Sequence, residues 1–320
     1  MRSWEEKING ETEEKKMNRQ ADFTDGSSSF DDGFDKLYEK IKTMYRDDEL
    51  ETVKHAYDVA KEHHKNQLRQ SGEPYIIHPI AVASILADLG MDSQSVAAAL
   101  LHDTVEDTDV TKADIELEFG DEIAQLVDGV TKLAKVPTET KAEAQAENIR
   151  KMLLAMSNDI RVIIIKLADR LHNMRTIGYV REEKRRETAL ETLEIYAPIA
   201  HRLGIRTIKE ELEDRAIICL DPVAYKEIED YLNSQSASRK EFLDSIIEKI
   251  KERVDPLVSG CKVEGRIKSV HGIYRKMYIG GKTFDEIYDI YAVRIIVESV
   301  IDCYNCLGVI HDMFLSLIHI

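Results

Sequence analysis

Hydrophobic residues recur three or four positions apart through most of the chain between residues 34 and 219. Val53, Ala56, Tyr57 and Ala60 illustrate this spacing, which places apolar side chains on one face of an α-helix. Glycine and proline interrupt the pattern near residues 72–74, 90, 120, 136–137 and 178. We therefore predict a series of helices joined by short turns.

The pattern changes after Pro256. Residues 222–253 still follow helical spacing but are more polar, and we interpret them as part of a helical connector. Residues 263–267 and 290–297 are rich in β-branched side chains, which is typical of strands, and a helical stretch at 269–278 separates them. The fold class is therefore mainly α, with an all-helical domain followed by the start of an α/β domain.

These changes divide the chain into a disordered tail, an all-helical domain, a helical connector, the start of an α/β domain and a foreign tail. The predicted boundaries are 1–33, 34–200, 201–255, 256–314 and 315–320. Residues 1–33 are polar and lack helical or strand periodicity. Residues 315–320 can be encoded by a sequence that reads like a DNA-library adapter, so we hypothesise that the α/β domain is cut short there. The alternative is a native apolar strand.

Composition narrows the classes of partner. The formal net charge of −16 argues against general attraction to nucleic acid or anionic lipid. No run approaches the roughly 18 apolar residues that cross a bilayer, and the N-terminus lacks the apolar core of a signal peptide. The four cysteines are sparse, which fits a reducing compartment, so we expect a cytoplasmic protein. No second pair lies near Cys303 and Cys306, so a metal role for them is disfavoured.

Ionisable residues cluster directly after the apolar run at 96–101. His102, Asp103, Glu106 and Asp107 fall within six positions, and helical spacing places them on neighbouring parts of one face. Such a group beside an apolar stripe is costly unless a cation binds it. The sequence therefore predicts a divalent metal site.

Two further residues are candidate ligands. His78 precedes Pro79, at the expected start of a helix, and Asp169 follows the apolar run at 162–165. Two imidazoles and two carboxylates suit Mn²⁺, Fe²⁺ or Zn²⁺, and mixed nitrogen and oxygen ligation favours manganese or iron over magnesium.

Several longer segments resemble the Rel/SpoT family, whose members make and destroy guanosine penta- and tetraphosphate. They are RQSGEPYIIHP at 69–79, HDTVEDT at 102–108, DGVTKL at 128–133, KLADRLHNMRT at 166–176 and IYAPIAHRLG at 195–204. The resemblance implies that the helical domain is an HD-type hydrolase domain. Such a domain removes the 3′-pyrophosphate of the alarmone ppGpp or pppGpp and leaves GDP or GTP and pyrophosphate.

The resemblance also implies roles for individual residues. Mn²⁺ is expected on His78, His102, Asp103 and Asp169. Glu106 and Asp107 are expected to be the catalytic pair, and the guanine nucleotide is expected to contact Arg69, Ser71, Asn173 and Thr176. Gln70 departs from the family, where a basic residue is common, and the change removes a positive charge near the nucleotide.

Residues 265–277 resemble the start of the family's nucleotidyltransferase-like synthetase domain. By that resemblance Arg266, Lys268 and Lys276 contact ATP phosphates, and Asp289 holds Mg²⁺ in a complete synthetase domain. Because the later part of that domain is not in this sequence, we expect no pyrophosphate transfer from ATP. We also expect no membrane or direct nucleic-acid binding, and no ribosome association without the family's C-terminal region.

Two other functions remain open at this point. The chain could be a general HD-type phosphohydrolase of nucleotides, although the 69–74 segment and the synthetase-like stretch favour the alarmone. It could also be a non-catalytic alarmone sensor, although Glu106 and Asp107 are both present. The acidic charge makes a nucleic-acid-binding module the least favoured reading.

Overall fold

A computed structural model of the chain describes residues 28–134, 150, 152, 154, 158–234, 236–258 and 260–314. The chain divides into two compact units, residues 1–181 and 182–320. The predicted helical domain extended to residue 200, so the units separate 19 residues earlier than that boundary. Most of the predicted tail, residues 1–27, and the predicted foreign tail, 315–320, lie outside the described residues.

The first unit is helical throughout its described regular elements. The helices are α1 Ser28–Ile41, α2 Asp47–His63, α3 Ile77–Asp88, α4 Ser93–Leu101, α5 Thr104–Asp107, α6 Lys112–Phe119, α7 Asp121–Ala134 and α8 Ile160–Arg175, followed by a short 3₁₀ turn at Ile177–Tyr179. This confirms the predicted series of helices joined by short turns.

Helix α1 begins before the predicted end of the tail at residue 33. Gly33, the last residue of the predicted tail, lies within this helix, where a Cβ would sit 3.8 Å from Ile80. Phe34, Leu37 and Ile41 are buried on the same helix. Burial of these apolar side chains offsets the low helix propensity of glycine.

Helix α4 forms the centre of the first unit. Val96 to Leu101 are fully buried, and the three consecutive alanines at 97–99 let neighbouring helices approach closely. The Asp92 side chain caps the helix by accepting a hydrogen bond from the Ser95 amide at 2.7 Å. This cap fixes the start of a rigid helix whose other end carries His102.

Helix α8 carries the predicted buried run. Val162, Ile163 and Ile165 are at most 4% exposed, which confirms the expected burial before Asp169. Asp159 caps the helix through the Arg161 amide at 2.8 Å. A Cβ at Gly129 of α7 would lie 2.7 Å from Val162, so glycine is what allows the two helices to pack this closely.

The second unit combines helices with one small sheet. Its elements are α9 Glu182–Glu191, a π-helical turn Thr192–Tyr196, α10 Ala197–Arg202, α11 Arg206–Leu220, α12 Pro222–Ser234, α13 Ser236–Val254, β1 Lys262–Ile267, α14 Val270–Tyr274, a π-helical turn Arg275–Ile279, a 3₁₀ turn Phe284–Glu286, β2 Tyr291–Ile296 and α15 Val300–Met313.

Strands β1 and β2 pair antiparallel, with Val263 opposite Ile295 and Gly265 opposite Val293. Both lie within one residue of the predicted strands, and the helical stretch predicted between them is present. Cys306 is buried against Val263 and other apolar residues, whereas Cys303 is exposed. No helix in the described part of the chain is both long enough and apolar enough to traverse a bilayer.

Candidate metal centre

Three ionisable side chains from separate helices meet inside the first unit. His78 comes from α3, His102 from the end of α4 and Asp169 from α8, and all three are buried. One potential ligand atom of each lies within 4.8 Å of the others. The Asp103 carboxylate adjoins them, with Oδ1 3.1 Å from His102 Nε2 and Oδ2 3.6 Å from His78 Nε2. The sequence prediction thus selected four residues that are neighbours in space.

The structure corrects the predicted helix through His102 and Asp103. Helix α4 ends at Leu101 and the short helix α5 begins at Thr104. The ring Nδ1 of His102 donates to the Ala99 carbonyl at 2.8 Å, the acceptor that a continuing helix would offer to the Asp103 amide. Asp103 then caps α5, and the Asp107 amide bonds its carbonyl at 2.8 Å. Asp103 and Asp107 are therefore close together, as predicted, although the helix is interrupted between Leu101 and Thr104.

The hydrogen bond to Ala99 sets the tautomer of His102. A carbonyl can only accept, so Nδ1 carries a proton, and in the neutral ring, the form that binds a metal, Nε2 carries a lone pair. That buried Nε2 has no hydrogen-bond partner, although Asp103 Oδ1 lies 3.1 Å away. Two acceptors facing each other in a buried site repel unless a cation lies between them. These residues therefore suit a divalent metal ion.

Asp169 is held as a buried carboxylate. Lys166 Nζ donates to its Oδ2 at 2.7 Å, and Asn173 Nδ2 donates to its Oδ1 at 2.6 Å. Burial alone would raise the pKa of Asp169, but the positive charge of Lys166 beside it holds it well below its usual value. Asn173, predicted to contact the nucleotide, therefore also orients a candidate ligand.

His78 completes the cluster. Its Nε2 faces Asp169 Oδ1 at 3.2 Å, and its Nδ1 lies 2.7 Å from Nδ1 of His172. Burial lowers the pKa of both rings, that of His172 to about 3, so both are neutral at physiological pH. A neutral imidazole is the form that binds a metal.

Tyr75 connects the cluster to the predicted catalytic pair. Its hydroxyl lies 2.6 Å from Asp103 Oδ2 and 3.2 Å from Asp107 Oδ2. Burial, followed by the charge of Asp103, raises the pKa of Tyr75, so the hydroxyl stays a donor. Gln67 Nε2 donates to the Asp107 carbonyl at 2.9 Å, and Glu106 is half-buried in the same short helix.

Tyr75 and Gln67 were missed as site residues. Tyr75 stands in the family-like segment at 69–79, so the available signal was its position between Pro74 and His78. Gln67 precedes that segment, and nothing in its sequence context indicates a contact 40 residues away.

Three of the four predicted nucleotide contacts form one group. Arg69 Nη2 donates to Asn173 Oδ1 at 3.0 Å and to Thr176 Oγ1 at 3.3 Å. Ser71 is not in this group, because its hydroxyl pairs with Glu73 at 2.9 Å on an exposed turn. Gly72 at φ 85° makes that turn.

The synthetase-like residues of the second unit are also partly gathered. Lys268 and Lys276 each contact a different oxygen of Asp289, at 2.9 and 2.7 Å. Lys276 and Lys268 lower the pKa of Asp289 to about 2. Arg266 contacts a different carboxylate: its Nη2 lies 3.4 Å from Glu210 Oε1.

The helical fold and the histidine–aspartate centre define the first unit as an HD-type metal-binding domain. Residues 56–206 match the HD domain family, and residues 265–319 match the region found in RelA and SpoT proteins. The chain belongs to the Rel/SpoT family. The second match runs into residues 315–320, whose origin in an adapter stays a prediction.

Curated proteins are similar to this chain over most of its length. The bifunctional (p)ppGpp synthase/hydrolase SpoT of Escherichia coli K12 is 48% identical over 281 residues, which are 88% of this chain and 40% of that protein. A GTP pyrophosphokinase of Streptomyces coelicolor is 48% identical over 262 residues, 82% of this chain and 31% of that protein. The chain therefore spans well under half the length of either relative.

A solved structure also matches part of the chain. It is described as a metazoan ortholog of SpoT that hydrolyzes ppGpp, and it is 26% identical, covering 52% of this chain and 85% of its own, with a TM-score of 0.38.

Proposed function

We propose that this chain hydrolyses the 3′-pyrophosphate of guanosine tetra- and pentaphosphate in the cytoplasm, releasing pyrophosphate and GDP or GTP. The observation that carries the proposal is the buried group of His78, His102 and Asp169, in which the lone pair of His102 faces Asp103 without a hydrogen-bond partner. The names of relatives such as the (p)ppGpp synthase/hydrolase SpoT support the substrate.

Mn²⁺ is the metal we assign to His78, His102, Asp103 and Asp169. Two neutral imidazoles with two carboxylates form a mixed nitrogen and oxygen set, which manganese accepts more readily than magnesium does. When bound, such an ion polarises phosphoryl oxygens and lowers the pKa of its water. The ligands themselves are held by hydrogen bonds: His102 donates to the Ala99 carbonyl, and Asp169 accepts from Lys166 and Asn173.

Glu106 and Asp107 are the proposed catalytic pair. The Tyr75 hydroxyl contacts the carboxylate of Asp107, and the Gln67 amide donates to its backbone carbonyl, so Asp107 is restrained at both its side chain and its backbone. We assign Glu106, which is half-buried in the same short helix, the role of accepting a proton from the attacking water. Asp107 then positions that water or manages the proton at the leaving group.

Arg69, Ser71, Asn173 and Thr176 are the proposed nucleotide contacts. The Arg69 guanidinium is planar and can stack on a base or pair with a phosphate. Asn173 and Thr176 already contact Arg69, which supports a shared pocket wall. Ser71 lies on the exposed turn next to Gln70, so it would meet the nucleotide from the loop side.

The test is release of pyrophosphate from guanosine tetraphosphate in the presence of Mn²⁺. Native protein should turn over, Asp103→Ala should lose both metal and activity, and Glu106→Gln should keep metal and lose activity. Glu116→Gln, an exposed site on α6, is the matched control and should behave as native.

Two outcomes would redirect the assignment. If native protein binds the nucleotide with Mn²⁺ and releases nothing, the chain is an alarmone sensor. If it releases phosphate or pyrophosphate equally well from unrelated nucleotides, it is a general phosphohydrolase of the HD type.

A further inference from the structure

A chain of hydrogen-bonding side chains links the proposed nucleotide pocket to the metal centre. Arg69 Nη1 lies 3.3 Å from His172 Nδ1, and the same nitrogen of His172 lies 2.7 Å from His78 Nδ1. His172 and His78 are both buried, at 8% and 3% exposure. His172 has no role in the proposed metal shell, yet it contacts a ligand and a pocket residue at once.

The chemistry of the three side chains determines which of them donates and which accepts in each of these hydrogen bonds. A guanidinium has only donors, so the nitrogen of His172 that faces Arg69 must accept. That nitrogen therefore carries no proton, and the proton of the 2.7 Å contact belongs to Nδ1 of His78. His78 is left with a lone pair on Nε2, the atom that faces Asp169 and Asp103.

The opposite arrangement would disable the ligand. If Nδ1 of His172 carried the proton, it would donate to His78 Nδ1, and the proton of His78 would move to Nε2. A protonated Nε2 cannot bind a metal. Arg69 disfavours that arrangement because it would place an N–H opposite a cation that can only donate.

The two histidine ligands are thus fixed by different means. His102 donates to a backbone carbonyl within its own turn, an acceptor that no ligand can change. His78 depends on a side chain from another helix, which in turn depends on Arg69. A ligand imidazole needs an acceptor on its other nitrogen, and removing such partners weakens metal binding.

We propose that His172 is a positioning residue that, kept in its accepting form by Arg69, fixes His78 in the tautomer that binds metal. The inference rests on the proposed metal centre of the hydrolase. Since Arg69 is also a proposed nucleotide contact, the strength of metal binding depends on a residue that the substrate engages. Coupling between two ligands through one residue acts equally in both directions.

The first measurement is the affinity of the full chain for Mn²⁺ without nucleotide, from the electron paramagnetic resonance signal of the free ion. His172→Leu should bind Mn²⁺ about tenfold to a hundredfold more weakly than native protein. His172→Asn should recover much of the affinity, because its carbonyl oxygen lies near the position of Nδ1. Arg69→Met should also weaken binding, which a residue that only contacts nucleotide would not do.

His55→Leu is the matched control. His55 is exposed on α2 and pairs with Glu118, so its loss should leave the affinity unchanged. Circular dichroism of each variant checks that the helices persist. Should His172→Leu fail to fold, the comparison of native protein with Arg69→Met still decides the question.

The second measurement is the tautomer itself, from ¹⁵N-histidine spectra of metal-free protein with His78 assigned through His78→Gln. Native His78 should carry its proton on Nδ1, and Arg69→Met should show a mixture of tautomers. If native protein binds Mn²⁺ and both His172→Leu and Arg69→Met bind it equally well, the positioning role is wrong and the hydrolase proposal stands. If native protein binds no Mn²⁺, both proposals fail.

Discussion

Two lysine-paired aspartates, one in each unit, have opposite surroundings. Asp169 has a side chain that is 8% exposed and faces two imidazoles beside one lysine, Lys166. Asp289 has a side chain that is 51% exposed and contacts two lysines, Lys268 and Lys276. Around Asp169, lone pairs outnumber the N–H groups that can donate to them. Around Asp289, the two lysines already give an excess of positive charge.

An acidic residue next to lysine therefore does not by itself indicate a metal site. What marks Asp169 is burial together with two histidine rings whose Nε2 atoms face carboxylates, His78 toward Asp169 and His102 toward Asp103. Asp289 is neutralised by its neighbours and needs no further cation. A metal ion at Asp289 would first have to displace the lysines, or phosphates would have to draw them away.

The largest expected effect is at Asp169. Asp169→Asn removes a charged ligand, so Mn²⁺ affinity should fall by more than about a hundredfold, beyond what loss of a supporting partner costs. Asp289→Asn is the control in the other unit and should leave Mn²⁺ affinity unchanged. Titration of both variants with Mn²⁺ by calorimetry checks this. Equal affinities for the two variants would remove the contrast between the sites.

Tyr75→Phe should have the next largest effect. It removes the donor shared by Asp103 and Asp107 while keeping the ring, so turnover of guanosine tetraphosphate should fall about tenfold to a hundredfold. Tyr45→Phe, which loses a hydroxyl contact to the Met91 carbonyl, should keep native turnover. Native activity in Tyr75→Phe would show that Asp103 and Asp107 need no such restraint.

Gly129→Ala tests how rigid the support of the metal centre is. The new methyl would meet Val162, a short branched side chain with little freedom, so we expect a loss of about 1–3 kcal/mol in the free energy of unfolding. Gly265→Ala in β1 meets the flexible ends of Leu243 and Ile247 and should cost less. Urea denaturation of both variants measures the difference, and a larger loss at Gly265 would reverse the expected order.

The smallest effect is expected at Lys276. Lys276→Gln removes one of two lysines from an exposed carboxylate, and exposed ion pairs contribute less than about 1 kcal/mol. Unfolding should therefore change little, and Mn²⁺ binding in the first unit not at all. A substantial loss of stability would mean that Asp289 depends on Lys276 more than an exposed group should.

The sequence predicted the parts of the site that residue type determines. His78, His102, Asp103 and Asp169 carry distinctive chemistry in family-like segments, and all four are neighbours in the structure. The two strands were also placed to within one residue, because their β-branched residues separate them clearly from the preceding helices.

The parts that were missed depend on side-chain direction. Hydrophobic spacing does not reveal the break after Leu101. The break is accompanied by a hydrogen bond from the His102 side chain to the Ala99 carbonyl, and such a polar contact leaves no mark in the hydrophobic pattern. The position of His172 between Arg69 and His78 depends on how α3 and α8 pack, which no local pattern records. The predicted tail ended at Gly33, although this glycine lies within helix α1, whose buried face the tail prediction did not include.

The contact between His78 and His172 joins residues 94 positions apart, and that between Arg69 and Asn173 joins residues 104 positions apart. Closing such long loops comes late and slowly during folding, so a chain that has formed only its local helices has no assembled centre. The metal ion should therefore bind only the fully folded domain. At a hundred times its dissociation constant it would add about 2.7 kcal/mol to the stability of the native state, chiefly by delaying unfolding, and a freshly made chain would be protected only once α8 has docked.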